Sequence, residues 1–353
     1  MLSLFQKVAQ QFQNKLPFVV YCKPNTKKMI GIFQNDNVLY ELTDFDESGF
    51  AFVAFDSTKK YFIPEELSDV YVEKVNSATY YFTDEMPTTT NEIAVKNFET
   101  LVEKGILAIA ENEFKKVVLS RKESFEIGNL DFEKVMNRLH FNYPNAFNYC
   151  FFHPKIGFWI GATPEQFIQI ANETIKTVAL AGTQLFAETI SWENKEKQEQ
   201  YLVTDFILES VRLYCHNQQV SQPYTFKAGA IAHIKTDISA TLNSKSDLGK
   251  LIEALHPTPA VCGLPKENAK QFILDNEGYN RKFYTGFLGE LNIDFTTFKR
   301  DNSDLFVNLR CMEINDKVAS IYVGCGITKD SIPKKEYIET VNKSMTIRKV
   351  INL

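Results

Sequence analysis

Near its C-terminus the chain reads Gly324-Cys-Gly-Ile-Thr-Lys-Asp-Ser-Ile-Pro-Lys-Lys-Glu-Tyr-Ile-Glu-Thr-Val-Asn-Lys343. The β-branched and aromatic residues over 317–323 predict a strand. Gly324 and Gly326 predict a turn in which backbone N–H groups approach a ligand, and Pro333 is typical of the first turn of a helix. The stretch therefore predicts a strand, a glycine-rich turn and a helix in succession.

The predicted helix carries charged residues on one face. Glu336, Glu339 and Lys343 are spaced at i, i+3 and i+7, so their side chains project in similar directions. Two carboxylates and an ammonium beside a glycine-rich turn suit a divalent cation that bridges to an anionic substrate. An exposed helix with ordinary Glu/Lys pairs has the same spacing. The stretch alone leaves both interpretations open.

The composition indicates one large globular unit. Of the 353 residues, 44% are hydrophobic and 24% are charged, which is enough apolar surface for a substantial core. No Pro/Gly/Ser-rich linker separates the periodic segments. We therefore expect a single domain over residues 1–353, with divergent N-terminal strands in 1–90 and the catalytic core in 91–353.

Charge and cysteine usage exclude several classes of partner. A net charge of -5 without a basic stripe argues against nucleic-acid binding. No 18-residue apolar stretch and no signal-peptide pattern occurs, so neither a membrane nor secretion is indicated. The six cysteines show no C-x-x-C or zinc-like spacing, which is typical of reduced core thiols. We expect a cytoplasmic protein.

Hydrophobic periodicity predicts antiparallel strands interrupted by long helices. A capping box at 89–92 starts a helix down to residue 112, and strands without βαβ order follow. This order predicts an α+β fold in layers, with large antiparallel sheets flanked by outer helices. Further helices are predicted at 192–214, 248–255 and 267–276, and the last three strands at 284–293, 305–314 and 318–323.

A second helix repeats the carboxylate spacing of the C-terminal helix. Glu196 and Glu199 lie three residues apart, as Glu336 and Glu339 do. Two helices that each offer a carboxylate pair can hold Mg²⁺ through one or two direct ligands, with the other carboxylates acting through coordinated water. Paired surface acids are the simpler alternative.

Two residues have the environment of a base and an acid. Lys116 lies in a strand of valines and leucines, where burial lowers the pKa of a lysine. Glu165 follows a Gly-Ala-Thr-Pro turn, where desolvation raises the pKa of a carboxyl. Opposite shifts would make the two residues a general acid–base pair. Structural salt bridges explain either residue at least as well.

Three further polar residues stand out without deciding a function. Arg310 interrupts the predicted strand over 305–314, where a buried guanidinium would need an anion such as a carboxylate. An edge-strand position open to water is the alternative. His233 and His256 show neither metal-ligand spacing nor a nearby nucleophile, so they are expected to be structural.

Nine motifs in chain order resemble those of the chorismate-utilising enzymes. This family comprises isochorismate synthase, salicylate synthase, anthranilate synthase component I and aminodeoxychorismate synthase, and the resemblance implies the same layered α+β fold. The match runs from about residue 90 to the end. Its motifs lie at 116–121, 161–165, 180–183, 196–199, 256–265, 284–286, 309–310, 324–327 and 336–343.

The resemblance implies a role for each candidate residue. Glu199 and Glu339 would be direct Mg²⁺ ligands, Glu196 and Glu336 would belong to the water-mediated shell, and the ion would bind the ring carboxylate of chorismate. Arg310 and Tyr284 would hold the enolpyruvyl carboxylate together with the backbone at Gly324. The full set of substrate-binding residues implied is Gly182, Thr183, His256, Tyr284, Arg310, Gly324, Gly326 and Lys343.

Lys116 separates the branches of the family, because the relatives that add an amine carry Gln at this position. A lysine implies water as the nucleophile. The expected enzyme is a Mg²⁺-dependent isomerase, isochorismate synthase, in which Lys116 deprotonates the water that attacks C2 while Glu165 assists departure of the C4 hydroxyl. We expect a monomer without an amidotransferase subunit, with its product used for menaquinone or a siderophore.

Three alternatives stay open beside this expectation. A salicylate synthase would also eliminate pyruvate in the same site, an aminating subunit would need an amidotransferase, and a non-catalytic homologue would only bind an anion. Two departures from the family pattern leave substrate affinity and specificity open. Gln184 replaces a common Arg, and Gln200 stands where His is common.

Overall fold

The structure is a computed structural model that describes residues 2–75, 91–128, 130–185, 187–188, 190–228 and 231–351. Thr89 and Thr90 of the predicted capping box lie outside these residues. The side chain of Asn91 caps the helix that follows, because it accepts a hydrogen bond from the backbone N–H of Ala94.

The helices form where the 3.6-residue apolar period predicts them, with ends that differ by a few residues. A short 3₁₀ helix, Lys245–Asp247, precedes the fifth α-helix. The α-helices are α1 (Leu4–Gln13), α2 (Glu92–Ala110), α3 (Phe132–Asn142), α4 (Asn194–Tyr214), α5 (Leu248–Leu255), α6 (Lys266–Asn276) and α7 (Pro333–Ile351).

The strands are short and lie mostly in two large antiparallel sheets. In chain order they are β1 (Phe18–Cys22), β2 (Lys28–Gln34), β3 (Tyr40–Glu41), β4 (Gly49–Val53), β5 (Lys60–Pro64), β6 (Ser68–Lys74), β7 (Lys116–Glu126), β8 (Phe147–His153), β9 (Gly157–Thr163), β10 (Gln166–Ala171), β11 (Thr174–Leu185), β12 (Cys215–Val220), β13 (Tyr224–Ala228), β14 (Ile231–Leu242), β15 (Gly263–Leu264), β16 (Phe287–Leu291), β17 (Ile293–Asp294), β18 (Lys299–Arg300), β19 (Asn302–Val307), β20 (Cys311–Asn315) and β21 (Val318–Ile327).

The first sheet has the order β15-β7-β21-β20-β9-β8-β1-β2-β6, and the second has the order β12-β14-β11-β10-β19-β16-β4-β5-β3, with β13 also paired to β14. The strands β17 and β18 form a separate pair. Strands from the N-terminal region enter both sheets, because β1 pairs with β8 and β4 pairs with β16. The expected α+β layers with antiparallel sheets are confirmed.

The two sheets pack face to face over an aromatic core. Phe52 of the second sheet stacks on Phe151 of the first with ring centroids 4.3 Å apart, and Phe306 stacks on Phe147 at 4.5 Å. Offset stacking of this kind adds to the area that the rings bury. The outer faces are covered by helices, with α4 on β11 and β14 and with α2 and α7 on β7 and β21.

Two predictions near the candidate site, one of a strand and one of a turn, are wrong. The predicted strand over 305–314 is two strands in different sheets, because β19 ends at Val307 and β20 begins at Cys311. Arg310 between them has a φ of 47°, a left-handed conformation outside the extended range of regular strands. The predicted turn at Gly324 and Gly326 is the end of β21, which continues to Ile327.

A strand that periodicity missed, β12, follows α4 directly and forms an edge of the second sheet. All six cysteines are buried free thiols, as expected. Within the described ranges no helix combines the length and the hydropathy of a membrane span.

Candidate active site

Two glycines of β21 lie beside candidate site residues, Gly326 next to Lys116 and Gly324 next to Tyr284. Strands β7 and β21 pair so that Gly326 lies opposite Val118 and Gly324 opposite Ser120. A Cβ on Gly326 would lie 3.2 Å from Lys116 Cε, and one on Gly324 would lie 2.9 Å from the hydroxyl oxygen of Tyr284. Glycines here leave room for two functional side chains in the space between the sheets.

The first sheet opens beside these glycines. Strand β20 begins at Cys311 opposite Tyr322, so the last five residues of β21 have β7 as their paired neighbour. Helix α7 covers this opening from outside, and Lys343 Nζ donates a hydrogen bond of 3.0 Å to the carbonyl oxygen of Gly324. Arg310 Nη1 in turn donates to the carbonyl oxygen of Lys343 at 3.3 Å.

Two crossings between the sheets place Glu165 beside Arg310. Glu165 lies between β9 and β10, and Arg310 lies between β19 and β20. The backbone N–H of Ala162 donates to the Arg310 carbonyl at 3.1 Å, and that of Val307 donates to the Glu165 carbonyl at 3.0 Å. Thr163 Oγ1 donates to the Val307 carbonyl at 2.5 Å. The two links are therefore hydrogen-bonded to each other.

Glu165 has the electrostatic environment of a proton donor. Burial raises the pKa of its carboxyl to about 7, although the charges of Lys116, Lys343 and Arg310 oppose this shift. The residue is half-buried, and we call the space that it shares with Lys116, Lys343 and Arg310 the cleft. The predicted rise in its pKa is confirmed, and its three cationic neighbours make the cleft attractive to an anion.

Each candidate metal ligand is paired with a lysine. Glu199 Oε1 lies 2.5 Å from Lys116 Nζ, and Glu339 Oε1 lies 2.6 Å from Lys343 Nζ. Lys116 thus has a carboxylate partner from helix α4 that its strand environment did not predict. The pair also brings α4 to the cleft that holds Glu165.

The two outer carboxylates have different surroundings. Glu196 is packed against Gly182, whose φ is 64°, and a Cβ on this glycine would lie 3.2 Å from Glu196 Cβ. Glu196 Oε2 is buried and has no hydrogen-bond partner among the residues that the structure describes. Burial raises the pKa of Glu336, while hydrogen bonds with Ser331 and Cys325 oppose the rise. An unpartnered buried carboxylate oxygen indicates a missing partner.

The donor chemistry of these residues fits Mg²⁺. Mg²⁺ prefers oxygen ligands and keeps several waters, so one or two carboxylates suffice. In the described part of the chain no three His, Cys, Asp or Glu side chains form a preformed metal site. The four carboxylates, including the unpartnered Glu196 Oε2, would fit an ion whose coordination is completed by substrate and water.

A buried ion pair joins the Tyr284 segment to strand β7. Arg281 and Glu277 form a contact of 2.5 Å between side chains that are almost fully buried. Arg281 Nη2 donates to the Val118 carbonyl at 2.6 Å, and Glu277 accepts from the Ser120 backbone N–H at 2.7 Å. Tyr284 is held further by Tyr322, whose ring is stacked on its own at 5.6 Å. Sequence patterns alone did not single out this pair.

The family model described as chorismate binding enzyme matches residues 63–352. The chain belongs to the chorismate binding enzyme family. Its relatives in this family include the isochorismate synthase MenF of Escherichia coli, which is 27% identical over 267 residues, covering 72% of this chain and 59% of that enzyme. The salicylate biosynthesis isochorismate synthase of Pseudomonas aeruginosa is 27% identical over 268 residues, covering 73% of this chain and 55% of that enzyme.

The chain thus matches less than two thirds of the length of these two family members. The solved structure of the menaquinone-specific isochorismate synthase MenF from Escherichia coli matches this fold with a TM-score of 0.81 at 21% identity. The match covers 99% of this chain and 91% of that one. At this sequence identity, the comparison shows that the two chains share a fold.

The family resemblance assigned His256 and Thr183 to substrate binding. His256 is buried, its Nε2 lies 3.1 Å from the Ala54 carbonyl oxygen, and its ring packs edge-on against Phe167 and Phe287. Burial lowers the pKa of this imidazole to about 4. Its described contacts are core contacts, so substrate binding stays a prediction. Thr183 lies in β11, and its side chain is outside the described part of the chain.

Gln200 and Gln184, which depart from the family pattern, form hydrogen bonds with different parts of the structure. Gln200 is buried, and its Nε2 donates to the Ala179 carbonyl at 3.0 Å and to Thr236 Oγ1 at 2.9 Å, which ties α4 to the second sheet. Gln184 Nε2 donates to the Ser191 carbonyl at 3.3 Å.

Sequence patterns also set aside His233. Its Nδ1 lies 2.9 Å from the Gly182 carbonyl oxygen. Its pKa is lowered by burial, with smaller effects from the charges of Lys343, Arg310 and Glu199. This imidazole therefore interacts electrostatically with Glu199 of α4, Lys343 of α7 and Arg310 between the sheets. A histidine without ligand spacing gives no sequence signal of such a position.

Proposed function

We propose that the protein is an isochorismate synthase that converts chorismate to isochorismate. The observation that carries the proposal is the joint position of Lys116 and Glu165 in one cleft, with Lys343 and Arg310 as further cations. The names of the relatives in Escherichia coli and Pseudomonas aeruginosa support the choice of reaction.

The substrate is a dianion, and the cleft offers cations at separate places. Arg310 is held in a left-handed conformation in the crossing between the sheets, where its guanidinium suits a carboxylate. Lys343 is held at the opening of the first sheet by its contact with the Gly324 carbonyl. Two separated cations can orient a substrate with two carboxylates, which places its ring between Lys116 and Glu165.

The reaction adds one water and releases another. Lys116 accepts a proton from the water whose oxygen bonds to C2, the ring double bonds shift, and the C4–O bond breaks. Glu165 gives its proton to the departing hydroxyl, which leaves as water. Each turnover thus leaves one more proton on Lys116, taken from the attacking water, and one fewer on Glu165, lost with the departing water. The pKa of about 7 allows the glutamic acid to donate near neutral pH.

Glu199 and Glu339 would hold Mg²⁺ directly, with Glu196 and Glu336 in its outer shell. When bound, the ion would neutralise the ring carboxylate of the substrate. The contacts of Glu199 with Lys116 and of Glu339 with Lys343 support a position of both carboxylates beside the proposed substrate site.

We also propose a cytoplasmic monomer that works without an amidotransferase subunit. Lys116 supports the absence of an amidotransferase subunit, because the aminating relatives carry Gln there. Menaquinone and siderophore biosynthesis are both proposed uses of the product. The menaquinone-specific Escherichia coli enzyme supports the first of these uses.

Product analysis tests the proposed function. Purified protein is incubated with chorismate and Mg²⁺, and the products are separated by chromatography. Isochorismate as the main product would support the proposal. Salicylate with pyruvate would indicate a salicylate synthase, ammonia-dependent anthranilate or aminodeoxychorismate would indicate an aminating enzyme, and unchanged chorismate would indicate a non-catalytic homologue.

A further inference from the structure

Arg121 lies on the same strand as Lys116 but projects from the opposite face. Successive side chains of a strand alternate between faces, and the two residues are five positions apart. Lys116 faces the cleft, where it meets Glu199. Val117 and Leu119 pack with Phe98 of α2 on the outer face, so Arg121 projects toward the helices.

On this outer face Arg121 contacts the two residues that lie next to the carboxylates of α7. Its Nε donates a hydrogen bond of 2.6 Å to Oγ1 of Thr340, which is fully buried and follows Glu339. Its guanidinium carbon lies 4.7 Å from the centre of the Tyr337 ring, which follows Glu336. A buried charged group in such contacts holds them in one geometry.

A second contact joins the same strand and helix beyond the site. Glu123 accepts hydrogen bonds from Arg121 and from Arg348, and the guanidinium of Arg348 lies 5.0 Å from the centre of the Phe125 ring. Arg348 lies five residues past Lys343 on α7. Strand β7 therefore contacts α7 at two positions along the helix. Arg121 makes the contact beside Glu336 and Glu339.

We propose that Arg121 is a positioning residue that sets the rotation of α7, so that Glu339 and Lys343 face the cleft. Successive residues of a helix are rotated by about 100°. Because Arg121 fixes Thr340 against the sheet, the rotation of the helix is set, and the side chain of Glu339 can project in one direction only. The role in substrate and Mg²⁺ binding rests on the proposed function, whereas the hold on α7 does not.

The test compares Arg121→Met with Arg348→Met. Each variant removes one guanidinium that joins β7 to α7, but only Arg121 contacts the segment that carries the carboxylates. Thr340→Val removes the acceptor with little change in shape, and Thr340→Ser restores it. These two variants test the same contact should Arg121→Met fold poorly.

Hydrogen–deuterium exchange of residues 333–343 is the first readout. We expect faster exchange in Arg121→Met and Thr340→Val, and near wild-type exchange in Arg348→Met and Thr340→Ser. The second readout is steady-state kinetics. We expect the KM for chorismate and the Mg²⁺ concentration for half-maximal rate to rise about tenfold or more in the first two variants, with kcat within about threefold of wild type.

Equal exchange over 333–343 in Arg121→Met, Thr340→Val and wild type would overturn the proposal. So would an equal rise of KM in Arg121→Met and Arg348→Met, because this would indicate a purely structural role. If wild-type protein left chorismate unchanged, the proposed function would fail, while the exchange data would still decide whether Arg121 holds the helix.

Discussion

At the scale of single residues, the site depends on the different surroundings of one carboxyl and one amine. Glu165 lies deep in the cleft without a carboxylate partner among its main charged neighbours, whereas Lys116 is paired with Glu199. Burial alone would raise the pKa of Glu165 further, and the three cations limit the rise to about 7. A group poised in this range is suited to proton transfer at neutral pH.

The pKa of Glu165 predicts the alkaline limb of the pH profile. Only the protonated carboxyl can donate, so kcat/KM should fall as the pH rises through about 7. Glu165→Gln should lower kcat by about a hundredfold or more, since it removes the donor. Glu173→Gln, at an exposed turn between β10 and β11, is the matched control. A flat profile from pH 6 to pH 9 would contradict the assignment.

Gly326 provides a second test at this scale. The added methyl group of Gly326→Ala would lie 3.2 Å from Lys116 Cε, so the flexible lysine must move while the strand stays intact. We expect kcat to fall about tenfold or more, because small displacements of a reacting group slow catalysis strongly. A Cβ on Gly128 would meet nothing within 4 Å, so Gly128→Ala should behave as wild type. Equal rates in both variants would argue against Lys116 as the base.

At the scale of elements, the site is built where strands leave one sheet for the other. Periodicity predicted the helices and most strands near the site, because apolar alternation reports which face of an element is buried. It did not predict the break at Arg310 or the continuation of β21 through Gly324 and Gly326. Apolar alternation does not show which sheet a strand joins. Two glycines close together are typical of a turn, and the side chains that require glycine at these strand positions lie far away in the sequence.

The resemblance to a family predicted residues that pattern alone could not join. Glu199 and Glu339 are 140 positions apart on two helices, and the structure places each beside a lysine of one cleft. Their pairing with Lys116 and Lys343 was not predicted. Arg281 and Arg121 were also missed, because the contacts that join them to distant segments, with the Val118 carbonyl and the Thr340 hydroxyl, have no recognisable spacing.

The position of Glu339 on α7 predicts that its substitution lowers the rate at low Mg²⁺ concentrations. Removing the carboxylate in Glu339→Ala should raise the Mg²⁺ concentration for half-maximal activity by at least about tenfold, because a hard cation loses an oxygen ligand. Titration of the rate with Mg²⁺ measures this. Glu103→Ala, at an exposed position of α2, should leave the titration unchanged. Superimposable titrations for Glu339→Ala and Glu103→Ala would remove Glu339 from the proposed metal site.

At the scale of the whole molecule, the N-terminal strands are tied to the second sheet through buried charges. Tyr21 of β1 donates a hydrogen bond of 2.5 Å to Glu290 of β16, and Lys23 contacts Glu290, Asp294 and Asp304. Three carboxylates thus surround one lysine. Strand composition predicted neither this cluster nor the entry of the N-terminal strands into both sheets, since both depend on contacts distant in sequence.

This cluster predicts how stability depends on pH. Burial raises the pKa of Glu290 to about 7, with Lys23 opposing the rise. The folded protein therefore keeps a proton that the unfolded chain has lost above its ordinary pKa of 4.5, so stability falls as the pH rises between these values. The fall attributable to Glu290 is on the order of 3 kcal/mol.

Glu290→Gln keeps a hydrogen-bond acceptor for Tyr21 and cannot ionise. Urea unfolding from pH 5 to pH 8 should show a smaller loss of stability in the variant than in wild type. Glu165 contributes a similar slope to both proteins, so the difference isolates Glu290. Parallel pH dependences of the two proteins would show that Glu290 does not hold its proton in the folded state.

We propose that Lys116 and Glu165 act together on chorismate in one cleft, Lys116 in the addition of water at C2 and Glu165 in the loss of the C4 hydroxyl. The most direct test is the reaction in ¹⁸O-labelled water with Mg²⁺, with the product examined by mass spectrometry. We predict isochorismate that carries one ¹⁸O at C2 from the wild-type protein, and loss of this labelled product in Lys116→Ala and Glu165→Gln. Unlabelled product, or labelling at wild-type rate in both variants, would contradict it.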